Sequence, residues 1–225
     1  MTPRARKAIE RAEVIIGYKA YLDLLVELIT NQEVYRSPMR AEVERCQLAV
    51  DLALSGKKVA VISSGDPGVY GMAGPILEIL GGRDLEVEII PGITAAVATA
   101  AALGAPLMHD FAVISLSDLL TPWPIIEKRL LAAATGDFII VLYNPQSKKR
   151  KEQIGKAAQI FLKHRKETTP VGLVRNYSRP QEKIVLTSLN KMLDYPIDML
   201  TTVIIGNSQT FLTGRYMVTP RGYRL

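Results

Sequence analysis

The sequence has very few of the residues that build disulfide frameworks and metal centres. Its 225 residues include one cysteine, Cys46, and two histidines. One cysteine cannot form an internal disulfide, and no metal-ligand cluster is available, so we predict no metal. A reducing compartment, the cytoplasm, is the default location for such a chain. Cys46 lies in a charged helical stretch with no histidine near it, which favours helix packing over a nucleophilic role.

Long apolar runs are also missing. The longest stretch of apolar and small residues, 93–107, is rich in alanine and contains Gly104 and Pro106. It is shorter than a membrane-spanning helix and predicts a buried helix and its exit. The N-terminus has a basic amphipathic stretch followed by only a few apolar residues, which is not a secretory pattern. We therefore expect no association with a membrane.

Aromatic residues make up only 6% of the chain, although its net charge is +6. Basic residues cluster at 148–151 and 163–166, at the two ends of a predicted helix. No aromatic–basic motif of the RNA-binding type accompanies either cluster, so we predict no nucleic-acid partner. The positive charge is compatible with a solvated surface or with an anionic small substrate.

Short β-branched runs alternate with helical segments, which is typical of an α/β protein. The chain restarts near residues 106–111, and we predict two α/β domains, 1–108 and 109–225. Strands are predicted at 13–18, 34–35, 59–62, 87–90, 111–115, 138–142, 170–174, 184–187, 201–205 and 217–219. Helices are predicted at 2–12, 21–28, 41–54, 70–80, 125–135 and 148–163.

The loop 63–71, with the sequence SSGDPGVYG, is the strongest local signal of a ligand site. It follows an apolar strand directly, at the end where open α/β sheets place their ligands. Its glycines allow close approach to the backbone. Asp66 is its charged group and is suited either to ribose hydroxyls or to capping the next helix. A second small-residue turn, PGITAA at 91–96, follows the next predicted strand, and its Thr94 is suited either to capping or to ligand binding.

Three further polar loops end strands in the second half of the chain, at 143–147, 175–180 and 206–210. Each is small and contains glycine, proline or asparagine. Ligands often bind where two domains meet, so these loops extend the candidate site.

The motifs, taken in order, resemble the tetrapyrrole methylases over nearly the whole chain. They are SSGDPGVYG, PGITAA, HDFAVISLSDLLTPW, LYNPQS, VRNYSR and TTVIIGNSQT. The first two are found throughout the family. The later ones resemble the branch that methylates carbon 17 of a precorrin-3-type corrinoid, with contraction of the macrocycle, in cobalamin biosynthesis.

The resemblance implies a two-domain fold of mixed sheets flanked by helices, with S-adenosylmethionine held between the domains. It implies a cytoplasmic homodimer with a corrinoid substrate. It also implies a first strand and a GxGPGD loop that are absent before the TPRA segment here. The cofactor-binding residues that it implies are Gly65, Asp66, Gly68, Val69, Thr94, Ala95, Tyr143, Asn144, Asn176, Asn207 and Ser208.

Ring contraction requires proton movement, and His109 and Asp110 at the predicted domain junction are the titratable candidates for catalysis. His109 is equally suited to bridging the hinge. Arg175 and Arg179 are candidates for binding substrate carboxylates, because guanidinium groups pair well with carboxylates. Two alternatives stay open at this point. One is a family member that acts on another corrinoid carbon, on diphthine or on ribosomal RNA, and the other is a truncated, non-catalytic protein that binds a ligand.

Overall fold

The computed structural model describes residues 1–224. The chain divides into two compact units, Met1–Thr94 and Ala95–Leu225. The sequence prediction placed the boundary later, after residue 108. The difference is the segment that contains helix α5 (Ala95–Leu103) and the short strand β4 (Gly104–Ala105). Leu103 packs on a strand of the second unit, and β4 pairs there with another strand. This segment therefore belongs with the second unit.

The first unit is built around the central strand β1 (Val14–Tyr18) of a three-stranded parallel sheet. Ile15 faces a cluster with Ile9 and Leu22, whereas Val14 and Ile16 face a cluster on the opposite side of the sheet. This alternation is the period-two pattern of a strand that is buried on both faces. The other elements of the unit are helices α1 (Pro3–Arg11), α2 (Lys19–Leu22), α3 (Glu42–Leu54) and α4 (Ala73–Leu80), a 3-10 helix (Asp23–Leu28), and strands β2 (Glu33–Ser37) and β3 (Val59–Ile62), in the sheet order β2-β1-β3.

The second unit contains a mixed five-stranded sheet. Its strand order is β5-β6-β9-β7-β8, and β9 runs antiparallel to both of its neighbours. Cores lie on both faces of the sheet, because alternate residues of β6 point to opposite sides. The elements after β4 are strands β5 (Phe111–Ser115), β6 (Ile139–Tyr143), β7 (Pro170–Arg175), β8 (Lys183–Ser188), β9 (Thr201–Ile205), β10 (Phe211–Thr213) and β11 (Tyr216–Val218), helices α6 (Trp123–Thr135) and α7 (Gln153–Leu162), and a 3-10 helix (Leu189–Asp194).

The prediction of an α/β fold with mixed sheets and flanking helices is confirmed. The start of α1 is also as expected, because Pro3 is its first residue and the Thr2 hydroxyl accepts from the Ala5 N–H at 3.2 Å. The predicted helix 21–28 is instead a short α-helix that continues as a 3-10 helix.

Two element predictions are wrong. No strand forms at 87–90, where residues 85–94 have neither helix nor strand. A short β-branched run has the pattern of a strand, but a strand also requires a partner in a sheet. The helix predicted from residue 148 begins only at Gln153. Ser147 and Arg150 exchange two backbone hydrogen bonds, at 2.8 and 3.2 Å, and the resulting turn precedes the helix.

Candidate active site

The loop that follows β3 is fastened by the carboxylate of Asp66. Its Oδ1 accepts from the Gly68 N–H at 2.8 Å, and its Oδ2 accepts from the Gly92 N–H at 2.9 Å. Asp66 therefore joins the 63–71 loop to the PGIT turn within the first unit. It is not a helix cap, because α4 begins at Ala73 with Met72 as the preceding residue.

The two turns approach each other so closely that only glycine fits between them. A Cβ atom on Gly92 would lie 1.9 Å from the carbonyl oxygen of Gly65. Gly65 itself has φ of 71°, in the left-handed region that glycine adopts without strain. The glycines thus set the conformation of these two turns, and the predicted approach of a ligand to their backbone stays a prediction.

The loop retains exposed groups that suit a nucleoside. Gly65 and Gly68 are exposed, and Val69 is partly buried, with its N–H bonded to the carbonyl oxygen of Asp66 at 3.2 Å. Each oxygen of an ionised carboxylate accepts more than one hydrogen bond. Asp66 can therefore bind ribose hydroxyls in addition to its two backbone partners. The residues present fit an adenosine-type cofactor.

Helix α5 begins directly after the PGIT turn, and one of its N-terminal N–H groups already has a partner. The Ala96 N–H donates to the Tyr143 hydroxyl at 2.6 Å. This contact lies within the second unit and ties the start of α5 to the end of β6. Ala95 is exposed beside it, and Thr94 is the residue before the helix. Either role predicted for the Thr94 hydroxyl stays a prediction.

One edge of the five-stranded sheet brings together several predicted residues. Strands β6 and β7 run in the same direction, because each is antiparallel to β9. Their last residues, Tyr143 and Arg175, therefore lie at the same edge of the sheet. Asn144 and Asn176 follow them, with φ of 50° and 53°. Asparagine is among the residues that best tolerate this left-handed conformation. The residues predicted at 143, 144 and 176 therefore share one edge, which we call the Tyr143 edge.

Four other predicted residues of this unit lie at the opposite edge. Because β9 is antiparallel to β6, its end at Ile205 lies beside Ile140. Four strand residues beyond Ile140 would span roughly 13 Å. The structure thus does not bring this second group to the Tyr143 edge, and a role for these residues in the site stays a prediction. The group consists of Asn207 and Ser208 after β9, and His109 and Asp110 before β5.

Asn207 and Ser208 also have partners that serve the fold. The Asn207 carboxamide oxygen accepts from the Gln209 N–H at 3.0 Å and contacts the Thr210 hydroxyl at 3.1 Å. Ser208 donates its hydroxyl to Asp137 at 2.6 Å. These bonds close the turn after β9. His109 and Asp110 are exposed, and the His109 Nδ1 accepts from the Asp110 N–H at 2.9 Å.

The two arginines predicted to bind substrate differ in their surroundings. The Arg175 Nε pairs with the Asp198 carboxylate at 2.8 Å. Burial raises the pKa of Asp198, but hydrogen bonds from Arg175, Leu200 and Thr201 outweigh it and hold that pKa below its ordinary value. Arg175 therefore already has a carboxylate partner. Arg179 is exposed in the following loop, where its backbone N–H donates to the Asn176 carbonyl at 2.9 Å.

Sequence reasoning missed a polar network behind the Tyr143 edge. Arg150 lies in a lysine-rich run but is only 8% exposed, and its Nη2 donates to the Asn144 carbonyl at 2.8 Å. Gln153 donates to the Asp118 carboxylate at 2.7 Å. The run 148–151 reads as a surface cluster, and nothing in its composition distinguishes the one buried member. The turn before α7 turns that residue inward.

Other features bear on the classes of function that the sequence excludes. Cys46 is buried, and burial raises the pKa of its thiol, which disfavours a thiolate nucleophile. Within residues 1–224, no group of three histidine, cysteine, aspartate or glutamate side chains is arranged to hold a metal ion. None of the helices in that range has the length and apolarity of a membrane span.

Comparison with known proteins supports the family suggested by the motifs. The sequence profile described as Tetrapyrrole (Corrin/Porphyrin) Methylases matches residues 1–193. A cobalt-factor III methyltransferase of Priestia megaterium is 52% identical over the whole chain, which covers 43% of that protein. A probable cobalt-factor III C(17)-methyltransferase of Salmonella typhimurium is 48% identical, and here the chain covers 94% of its relative.

A solved structure agrees with these sequence relatives. The crystal structure of the methyltransferase CobJ superposes with a TM-score of 0.90 at 37% identity, covering 98% of this chain and 93% of CobJ. Both the profile and the Salmonella relative match well over half of the sequence. The chain therefore belongs to the tetrapyrrole (corrin/porphyrin) methylases and is a methyltransferase.

Proposed function

We propose that this protein transfers a methyl group from S-adenosylmethionine to carbon 17 of a precorrin-3-type corrinoid, with contraction of the macrocycle, in cobalamin biosynthesis. The observation that carries the proposal is sequence identity of about 50% to two proteins that are named as cobalt-factor III methyltransferases. The chain spans less than half the length of the first of them but nearly all of the second.

The cofactor proposal rests on the two joined turns of the first unit. Asp66 is assigned to the ribose hydroxyls, and the exposed Gly65 and Gly68, with the partly buried Val69, are assigned to the rest of the nucleoside. We assign to the same ligand Thr94, the last residue of the first unit, and four residues of the second unit, Ala95, Tyr143, Asn144 and Asn176. S-adenosylmethionine supplies an electrophilic methyl group when bound.

The chemistry that remains for the protein is alignment. When bound, the cofactor would give its methyl group to an electron-rich ring carbon as the sulfur–methyl bond breaks and S-adenosylhomocysteine leaves, so most of the rate would come from holding the two reactants in line. The chain meets this requirement with turns that are fixed by glycine contacts and by the two bonds of Asp66. Substrate carboxylates are assigned to Arg179, and to Arg175 only as a member of its pair with Asp198.

Cytoplasmic location and a homodimer are part of the same proposal. The single cysteine is buried and forms no disulfide, as is usual in a reducing compartment. The dimer rests on the family resemblance alone. Light scattering coupled to size exclusion tests it directly, and a monomer at micromolar concentration would contradict it.

The test of the function combines binding with product analysis. Calorimetry with S-adenosylhomocysteine should show one site per chain. Incubation under reducing conditions with methyl-labelled S-adenosylmethionine and cobalt-factor III should add one labelled methyl group, located by NMR at carbon 17. Label at another ring carbon would overturn the regiochemistry, and binding without any transfer would overturn the substrate.

A further inference from the structure

Arg150 is a buried cation without an acidic partner. Its neighbours Lys148, Lys149 and Lys151 are exposed, whereas Arg150 is 8% exposed. No ion pair in the part of the chain that the structure describes includes Arg150, and its Nε is buried there without a hydrogen-bond partner. Burying a guanidinium without an acid is costly, so its contacts require an explanation.

The guanidinium joins three separate segments of the second unit. It donates to the Asn144 carbonyl at 2.8 Å and to the Ser117 hydroxyl at 3.3 Å, and it lies 3.7 Å from the Met199 sulfur. The Asn144 side chain continues the network by donating to the Ser115 hydroxyl at 3.0 Å. Arg150 therefore links the segment after β5, the loop after β6 and the turn before β9.

These hydrogen bonds hold Asn144, which has an unusual backbone conformation. Asn144 has φ of 50° and follows Tyr143 directly. Such a conformation costs energy for a residue with a side chain and persists only where the surroundings hold it. The bonds to the Asn144 carbonyl and carboxamide supply that constraint from two sides.

A partly buried arginine, Arg165, shows the contacts of an arginine that serves the fold alone. Arg165 donates to the carbonyl oxygens of Gly206 and Phe138 and packs over the Phe161 ring at 4.8 Å. Its Nε is also buried without a partner. These contacts lie at the edge opposite to Tyr143. The two arginines are thus alike in their bonds to backbone carbonyls, although Arg165 is only partly buried, and they differ in the edge that they serve.

We propose that Arg150 is a positioning residue for methyl transfer, which holds segments 115–118 and 143–147 in the geometry that binds the cofactor. This inference rests on the proposed function and extends it. The planar guanidinium bonds two acceptors at once, whereas an ammonium group keeps the charge without that fork. Lysine at this position should therefore keep the charge but release one segment.

The experiment compares Arg150→Lys with Arg165→Lys in the full chain, because both guanidinium groups make two hydrogen bonds to oxygen and both Nε atoms have no partner within residues 1–224. We expect Arg150→Lys to weaken binding of S-adenosylhomocysteine about tenfold and to lower kcat/KM by at least about tenfold, because small displacements of aligned groups are costly. Arg165→Lys should change both quantities by less than about threefold, even where its melting temperature falls as far. Calorimetry, thermal unfolding and the methylation assay are run on the same preparations.

A milder variant covers the case in which Arg150→Lys does not fold. Ser117→Ala removes one acceptor and should weaken binding of S-adenosylhomocysteine about threefold while the protein stays folded. Equal losses of affinity in the two lysine variants, in proportion to their melting temperatures, would overturn the inference. Wild-type protein that binds S-adenosylhomocysteine but transfers no methyl group would overturn only the proposed substrate. Wild-type protein that does not bind it would overturn both.

Discussion

At the scale of single residues, the glycine contact between the two turns of the first unit is the most restrictive feature. Gly92→Ala places a Cβ atom 1.9 Å from the Gly65 carbonyl oxygen. This oxygen belongs to the backbone, so it cannot rotate away as a flexible side chain would. The turns must separate, so we expect a loss of about 2 kcal/mol or more in the free energy of unfolding. Binding of S-adenosylhomocysteine should weaken in the same variant, as measured by calorimetry.

Gly74 provides the control for this prediction. It lies exposed in α4, and a Cβ atom there meets nothing within 4 Å. Gly74→Ala should therefore stabilise the protein by up to about 1 kcal/mol, as is usual for glycine in a helix, and leave binding unchanged. Equal effects of the two substitutions in urea unfolding would show that the turns are not in contact.

Asp198 gives a prediction for pH dependence. Its pKa is lowered from the ordinary value of 3.8, so the folded state favours the ionised form. The resulting stability is fully present above pH 3.8 and is lost as the pH falls through the lower folded value. Asp198→Asn should remove this contribution, which we expect to be below about 1 kcal/mol because the pair with Arg175 is partly exposed.

The measurement is urea unfolding of the wild type and Asp198→Asn from pH 7 to pH 2. The difference in unfolding free energy should stay constant down to about pH 4 and then shrink. Arg175→Gln should show the same shrinkage, and combining both substitutions should add little. A difference in unfolding free energy that grows as the pH falls would contradict a lowered pKa of Asp198 in the folded state.

At the scale of elements, the sequence predicted most strands and helices but not the direction of every strand. The apolar run Thr201–Ile205 predicts a buried strand. It does not predict the direction of that strand, because parallel and antiparallel strands that are buried on both faces have the same continuous apolar pattern. Its antiparallel pairing decides that Asn207 and Ser208 lie away from Tyr143. In the same way, the burial of Arg150 follows from the turn at Ser147 and not from its lysine-rich surroundings.

The packing of α5 on the five-stranded sheet is testable at this scale. A Cβ atom on Gly172 would lie 2.2 Å from the Leu103 Cδ1 and 2.7 Å from its Cδ2. Gly172→Ala should therefore displace α5 and cost about 1 to 3 kcal/mol in urea unfolding. Leu103→Ala alone should cost about 2 to 5 kcal/mol, because it leaves a cavity.

The combined variant distinguishes direct contact from general weakening. If Gly172 faces Leu103, the double substitution should be less destabilising than the sum of the two by at least about 1 kcal/mol. Gly155→Ala is the control, since a Cβ atom there meets nothing within 4 Å in α7. Strict additivity of the two substitutions would show that α5 does not rest on this strand.

At the scale of the whole molecule, composition and motifs predicted the α/β class and the family, because both depend on patterns that are local in sequence. The boundary between the units depends on long-range packing and was placed later, at 108. The segment 95–105 is the reason. Its helix and two-residue strand pack and pair within the second unit, and a strand of two residues leaves no pattern in the sequence.

Two fragments test this division. Residues 95–225 retain α5 and β4, and we expect them to fold with a single cooperative transition in urea. Residues 109–225 lack both, which uncovers the face formed by Ile139, Val141 and Ile204. Losing the cover of each such side chain costs about 1.5 to 3 kcal/mol, so together they approach the whole stability of a domain.

The shorter fragment should therefore show a broad transition, bind a hydrophobic dye and give poorly dispersed NMR spectra, whereas the longer one should not. Circular dichroism alone would not separate the two, since secondary structure survives loss of packing. Cooperative unfolding of both fragments would place α5 outside the core of the second unit. If residues 95–225 do not fold in isolation, the five-stranded sheet depends on residues before 95.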